Sequence, residues 1–174
     1  MRIPIVLGSL LLGGTIVVGG QAPSDAKLVA ALKRLFPSAS TFSPKSGAPP
    51  HFKAYVNDPQ SGSPKLVGLA FWTTELEPLE RGYDGPIKIL VGLDLNRMLT
   101  GIVVTEHHEP YGNFSIDTPA FAAQFAGKPI GDPFKVGGDI DAVSRASISI
   151  TSASRAVRNS ARRVARQLLT ESAK

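Results

Sequence analysis

The sequence contains no cysteine among its 174 residues. Without a thiol the chain can hold no thiolate-bound zinc, no iron–sulfur cluster, no thioether-attached haem and no disulfide. Any redox chemistry must therefore come from a cofactor of another kind. A chain of this size buries enough apolar surface to fold without disulfides, so the lack of cysteine is compatible with export.

Acidic residues are missing from the C-terminal part of the chain. Between Ser144 and Thr170 there are six arginines and no aspartate or glutamate, although the net charge of the whole chain is only +5. An apolar set at helical spacing predicts a final helix from near Thr151 or Ser152 to about Thr170. The opposite side of this helix carries Arg155, Arg158, Arg162 and Arg166. Two interpretations of this basic stripe stay open: a surface for an acidic protein or anionic lipid, and a merely solvated face.

Charged residues are also missing near the N-terminus, where an uncharged run extends from Ile3 to Gly20. The run is 18 residues long, which exceeds the usual signal-peptide core of about 7–15 residues and reaches the lower limit of roughly 17–25 for a spanning helix. We therefore predict that residues 1–24 form either a signal peptide or an N-terminal membrane anchor. The rest of the chain is expected to be exported to the periplasm or the outer face of a membrane.

Residue patterns after the N-terminal run predict one domain of strands and helices. A helix is expected to start at Ser24 and to end at Pro37, and a second, short helix has Thr118 as its N-cap and Gly127 after its end. The strand-like runs form two hairpins, His51 to Val56 with Leu66 to Thr73, and Ile87 to Leu93 with Met98 to Glu106. Local connections between strands, with helices before, between and after them, predict an α+β fold with a mainly antiparallel sheet.

A glycine-rich turn precedes the third strand-like run, with the sequence Gly82-Tyr83-Asp84-Gly85-Pro86. Its glycines allow a close approach of the backbone to a ligand, and Tyr83 can lie against a ligand ring. A plain turn remains the simpler interpretation of such a segment taken alone.

A second polar stretch, Glu106 to Gly112, lies at the end of a strand. Strand alternation puts His107 and Glu109 on one side and the flanking Glu106 and His108 on the other, so at most two of the four converge on a metal. A dedicated zinc site needs three or four protein ligands. The stretch therefore indicates a polar strand end or a ligand-facing rim, and no metal site is predicted.

A third stretch, Asp141 to Ser149, leads into the basic helix. In an extended conformation Arg145, Ser147 and Ser149 would share one face. Such a segment is either a polar strand face followed by a helix cap, or a phosphate site, because hydroxyls, a guanidinium and a helix N-terminus all favour anionic oxygens.

The order of these three stretches resembles that of a known family, the exported FMN-binding domains. They occur in the small flavin subunits of Rnf-type and sodium-pumping quinone reductase complexes, and in the membrane regulator of nitrous oxide respiration. The segment GYDGPIKILVGLDLNRMLTGIVVTEHHEP is most similar to the outer domain of that regulator. The resemblance covers roughly Leu35 to Ala165 and implies an FMN-binding domain over residues 25–174.

The family's flavin-attachment motif is matched here by Asp141, Ser144, Ala146, Ser147 and Ser149. The resemblance implies that Ser147 receives FMN as a phosphoester from a separate FAD-dependent flavin transferase. Arg145 stands where the family has glycine, and the acceptor is serine where threonine is commoner. Covalent and noncovalent binding of FMN therefore both stay open.

The resemblance further implies an exported flavoprotein that carries electrons between membrane-associated redox partners, rather than a stand-alone enzyme. The implied partners are a membrane-associated redox protein or complex and the flavin transferase; a membrane surface stays open, and export argues against nucleic acid. The alternative is a structural or regulatory subunit of a membrane complex whose flavin site has degenerated, which Arg145 favours. The implied FMN contacts, besides the motif residues and Arg145, are Tyr83, Gly85, His108 and Glu109.

Overall fold

Five strands, hydrogen-bonded in the order of the sequence, form one antiparallel sheet. The structure is a computed structural model, which describes residues 22–169. Its strands are β1 (Thr41–Phe42), β2 (Phe52–Asn57), β3 (Pro64–Trp72), β4 (Lys88–Asp94) and β5 (Leu99–Glu106). Its α-helices are α1 (Ala26–Leu35), α2 (Thr73–Leu76), α3 (Pro119–Ala123) and α4 (Ser147–Leu168). The α+β class predicted from the sequence is confirmed.

Both predicted hairpins are present. Strand β2 pairs with β3, and β4 pairs with β5, each in antiparallel register. The two-residue strand β1 was not expected, and it extends the sheet beside β2. Two residues are too few to show an alternating pattern, so the sequence carries no signal for this strand.

Helix α1 covers one face of the sheet. The Asp25 carboxylate caps it by accepting hydrogen bonds from the backbone N–H groups of Lys27 and Leu28, as Asp commonly does at helix N-termini. Leu32 and Leu35 are buried on this side. The predicted first helix is therefore confirmed, with Asp25 as its cap.

Helices α3 and α4 cover the other face, over the larger part of the core. Thr118 Oγ1 accepts a hydrogen bond of 3.1 Å from Phe121 N, which confirms the predicted cap of α3. Val157 and Ala161 of α4 are fully buried against this side of the sheet. The sheet therefore lies between α1 on one face and α3 and α4 on the other.

The start of α4 corrects the sequence analysis. The helix begins at Ser147, four residues before the expected Thr151, and the segment from Asp141 to Ser149 contains no strand. Arg145 has a φ of 67°, in the left-handed region that interrupts an extended chain. Ala146 and Ile150 are both buried, and Ile150 N donates to Ala146 O. Burial of these two side chains decides where the helix begins.

Arginines of the basic stripe on α4 contact the protein itself, which corrects the expectation of a face left to a partner or to solvent. Arg155 binds the Glu80 carboxylate through two hydrogen bonds of 2.6 Å. Arg158 donates to the Pro133 carbonyl, and Arg162 donates to the carbonyls of residues 130–132. The helical pattern gives no hint of these contacts, because their acceptors are distant in sequence.

Within residues 22–169 the structure has no helix with the length and apolar character that a membrane span requires. The apolar run from Ile3 to Gly20, which carries the prediction of a signal peptide or anchor, lies outside the described residues.

Candidate functional site

A cleft of about 600 Å³ opens at the N-terminus of α4. Its size falls within the range of roughly 300–1,000 Å³ that ligand sites occupy. Its lining residues are Tyr83, Pro110, Tyr111, Arg145, Ser147, Ile148 and Ser149. The fold therefore brings together the glycine-rich turn, the chain after β5 and the Asp141–Ser149 segment, the three stretches that the sequence sets apart.

Ser147 is one of the residues that line this cleft. It is exposed and is the first residue of the 22-residue helix α4. Ala146, at the N-cap position, supplies no side-chain hydrogen bond to the first turn. The partial positive charge and N–H groups of a helix N-terminus attract phosphate, and the Arg145 guanidinium lines the same cleft. These donors fit a phosphate group joined to, or resting beside, Ser147.

The walls of the cleft are apolar and unusually exposed. Tyr83 is 70% exposed, Ile148 58% and Tyr111 40%. The Tyr111 ring also packs against Phe114, with 5.3 Å between the ring centroids. Exposed apolar side chains gathered at one place indicate a binding surface, and flat aromatic side chains suit a planar heteroaromatic ring.

Glu109 lies beside the cleft with only 6% of its surface exposed. Its carboxylate accepts hydrogen bonds from Tyr83 N at 3.0 Å, from Asp84 N at 2.9 Å and from the Ser149 hydroxyl. A Cβ atom at Gly82 would collide with Glu109 Oε1, so the turn approaches this closely because residue 82 has no side chain. Glu109 therefore ties two walls of the cleft together.

The hydrogen bonds to Glu109 also determine its charge state. Burial by itself raises the pKa of this carboxyl, but the bonds from Ser149, Asp84 and Tyr83 outweigh burial and leave the pKa below its usual range. Glu109 is therefore a carboxylate at neutral pH, with both oxygens used within the protein.

His107 holds the backbone of Glu109 in place through a hydrogen bond. Its Nδ1 accepts a hydrogen bond of 3.0 Å from Glu109 N, and its Nε2 lies 2.9 Å from Asp117 Oδ1. This pairing requires the tautomer in which Nε2 carries the proton and donates it to Asp117. A side chain on Gly112 would strike the imidazole, so that glycine also serves the arrangement.

Several predicted site residues do not line the cleft. His108 and Ser144 are exposed, and Asp141 is exposed with its N–H donating to Gln124 Oε1 at 2.6 Å. Gly85 is buried and closes the turn by accepting a hydrogen bond from Gly82 N at 2.7 Å. Gly85 thereby shapes the loop that carries Tyr83.

Sequence reasoning missed three lining residues: Pro110, Tyr111 and Ile148. Pro110 and Tyr111 belong to the polar stretch after β5, but nothing in that pattern says which side of the chain meets the cleft. Ile148 lies between two serines, and an apolar residue there would ordinarily be assigned to the core. Its exposure follows from the early start of α4, which turns Ala146 and Ile150 inward instead.

Residues 82–162 match the model of the family described as the FMN-binding domain. The match includes the glycine-rich turn, the end of β5 and the start of α4, which are the three segments that form the cleft. The part of the chain that forms the cleft therefore matches a family of flavin-binding domains, and the cofactor that this match supports is FMN.

Two relatives share one name, that of a subunit of the ion-translocating oxidoreductase complex. The protein from Methanosarcina acetivorans is 33% identical over 129 residues, which cover 68% of this chain and 65% of the relative. The protein from Escherichia coli K12 is 37% identical over 78 residues, which cover 39% of this chain and 38% of the relative. The chain thus spans less than two thirds of either relative. These matches confirm the resemblance to the FMN-binding flavin subunits.

Proposed function

We propose that this protein is an exported flavoprotein that carries electrons between membrane-associated redox partners, with FMN joined through its phosphate to Ser147. The observation that carries the proposal is the position of Ser147, an exposed hydroxyl at the start of α4 on the rim of an aromatic-walled cleft. The names of both relatives, which place those proteins in ion-translocating oxidoreductase complexes, support a membrane-associated partner.

Attachment of FMN requires a separate flavin transferase and FAD as the donor. The Ser147 Oγ–phosphorus bond forms, the phosphoanhydride bond of FAD breaks and AMP leaves, while the hydroxyl proton passes to a base of the transferase. No electron is gained or lost in this step. On the side of this chain, the Arg145 guanidinium and the N-terminus of α4 stabilise the phosphate charge.

Attached FMN supplies reversible electron transfer. A covalent tether keeps the cofactor at a high effective concentration, so an exported protein does not lose it by dilution. Tyr83, Tyr111 and Ile148 would contact the ring and shield it from water. Glu109 has both oxygens engaged in hydrogen bonds within the protein, which favours holding a cofactor over acid–base catalysis on a substrate.

The cofactor part is tested by producing the full chain together with a flavin transferase and measuring flavin absorbance after denaturation. We expect wild type to keep its flavin in denaturant and Ser147→Ala to lose it. Ser63→Ala is the matched control, because Ser63 is an exposed serine that lies outside the flavin-attachment motif and does not line the cleft. Equal denaturant-resistant flavin in Ser147→Ala and wild type would refute attachment at Ser147.

Export and electron transfer need separate measurements. External protease should degrade the protein in intact spheroplasts while a cytoplasmic marker survives. The reduced full-length protein should be reoxidised by membranes that contain its partner, and the flavin-free Ser147→Ala protein should not restore this electron flow. Full electron flow with the flavin-free protein would instead support a structural or regulatory subunit.

A further inference from the structure

A second cleft, of about 560 Å³, lies along the C-terminal half of α4. Its lining residues are Glu77, Asn159, Arg162, Arg163, Arg166 and Gln167. None of them lines the flavin cleft. At a rise of 1.5 Å per residue, Arg162 lies roughly 22 Å along the helix from Ser147. The second cleft is therefore a distinct feature of the surface.

The described lining residues combine three arginines with one carboxylate. Arg162 Nε donates to Ile130 O at 2.7 Å, and Arg163 Nη1 donates to Leu76 O at 2.9 Å. Carbonyl oxygens orient these two guanidinium groups but do not neutralise their charge. In the N-terminal half of the helix, by contrast, Arg155 forms an ion pair with Glu80, and that pairing lowers the pKa of Glu80. The Arg162 and Arg163 guanidinium groups therefore bring positive charge to the second cleft.

We propose that this cleft binds a phosphate-bearing anion. Guanidinium groups match phosphate oxygens through paired N–H donors. Arg163 uses Nη1 for Leu76 O and can offer the Nε and Nη2 pair, whereas Arg162 uses Nε and Nη2 for carbonyls and can offer Nη1. The Asn159 and Gln167 amides add neutral donors. Because two arginines are already held by backbone carbonyls, binding costs little of their side-chain entropy. Glu77 opposes excess negative charge and can accept a hydrogen bond from a hydroxyl or ammonium group. The cleft therefore favours a phosphodiester of low charge, such as a phospholipid headgroup, or free phosphate, over a polyphosphate.

The first test is titration of the full-length protein with inorganic phosphate, followed by calorimetry. The double variant Arg163→Gln/Arg166→Gln should bind about 25-fold more weakly, since each basic residue contributes roughly a fivefold factor. The matched control is Lys27→Gln/Arg34→Gln, which removes the same charge from exposed positions of α1 on the opposite face of the sheet. An equal loss in both double variants, or no phosphate binding by wild type together with no preference for anionic vesicles, would overturn the proposal.

The second test identifies the source of the phosphate. Binding to vesicles of phosphatidylcholine is compared with binding to vesicles in which part of that lipid is replaced by phosphatidylglycerol, so that any contribution of the N-terminal residues is common to both. A preference for the anionic vesicles that disappears in Arg163→Gln/Arg166→Gln, but persists in the α1 control, assigns a lipid headgroup. Phosphate binding without a vesicle preference assigns a free anion.

A variant that is expected to bind more strongly tests the proposal even if the double variant fails to fold. Glu77→Gln removes the opposing carboxylate and should strengthen phosphate binding severalfold, an effect that unfolding cannot mimic. Thermal melting and flavin content of each variant report on the fold. Unchanged binding in Glu77→Gln, combined with a double variant that melts early, would refute the proposal.

Discussion

The Glu109 carboxylate accepts a hydrogen bond from the Ser149 hydroxyl, which joins the chain after β5 to the first turn of α4. The same carboxylate accepts the N–H groups of Tyr83 and Asp84 from the glycine-rich turn. One buried charge thus holds the two walls between which the flavin is expected to lie. Ser147 starts the helix that Ser149 anchors, so its position depends on Glu109.

Replacing Glu109 should loosen the cleft. In Glu109→Gln the amide NH₂ faces the backbone N–H of either Tyr83 or Asp84, and two donors cannot pair with each other. We expect the free energy of unfolding to fall by about 2 kcal/mol and flavin attachment at Ser147 to slow. Glu106→Gln is the control, because Glu106 is exposed and its nearest ion-pair contact, to Lys88, is 3.7 Å; its effect should stay within about 0.5 kcal/mol. Equal effects in chemical denaturation would argue against the role assigned to Glu109.

Gly82→Ala tests the close packing of the turn on Glu109. The added Cβ would displace the carboxylate, so we expect a loss of stability of about 1–3 kcal/mol and an altered flavin spectrum. Gly131→Ala is the matched control, since a Cβ there meets no atom within 4 Å. A Gly82→Ala protein with wild-type melting temperature and spectrum would show that the turn tolerates a side chain.

The ionisation of Glu109 should make the stability of the protein depend on pH. Its pKa in the folded protein is lowered, on balance, by the hydrogen bonds that it accepts, below the value of about 4.3 for an unfolded chain. Its contribution to stability is therefore complete above that value and is lost as pH falls through the folded pKa. The stability difference between wild type and Glu109→Gln should be constant near neutral pH and should shrink in acid. Glu80 and Asp139 also have lowered pKa values. Because both residues are present in wild type and in the variant, their contributions to the pH dependence largely cancel in the difference.

Arg162 should act as a structural residue. Its guanidinium donates to the carbonyls of Ile130, Gly131 and Asp132. Arg162→Gln should therefore reduce the free energy of unfolding by about 1–2 kcal/mol. Arg34→Gln, at an exposed position of α1, should change it by less than about 0.5 kcal/mol. Equal free energies of unfolding for the two variants in urea denaturation would indicate that the Arg162 side chain is merely solvated.

The parts of the fold that the sequence predicts are those whose causes are local. Pro37 stops α1, Thr118 and Pro119 start α3, and aliphatic or β-branched runs joined by turn-forming residues define both hairpins. These signals act within a few residues, so a pattern reveals them.

The features that the sequence did not reveal depend on contacts between distant residues. The hydrogen-bond donors to Glu109 lie 25, 26 and 40 residues away in sequence. The carbonyl acceptors of Arg162 lie 30 to 32 residues away. The early start of α4 follows from the burial of Ala146 and Ile150 against the sheet, which local propensity does not register. The motif located the segment that carries Ser147, whereas the tertiary structure explains how that segment is held.

Peptide mapping of the flavin-loaded protein tests the central claim most directly. Trypsin cleavage after Arg145 and Arg155 yields a peptide that contains Ser147, Ser149, Thr151, Ser152 and Ser154. Fragmentation in the mass spectrometer should place FMN on Ser147, because its hydroxyl is exposed, whereas Ser149 is buried and donates to Glu109. FMN on any other residue, or an unmodified peptide from protein that is yellow only in its native state, would contradict the account.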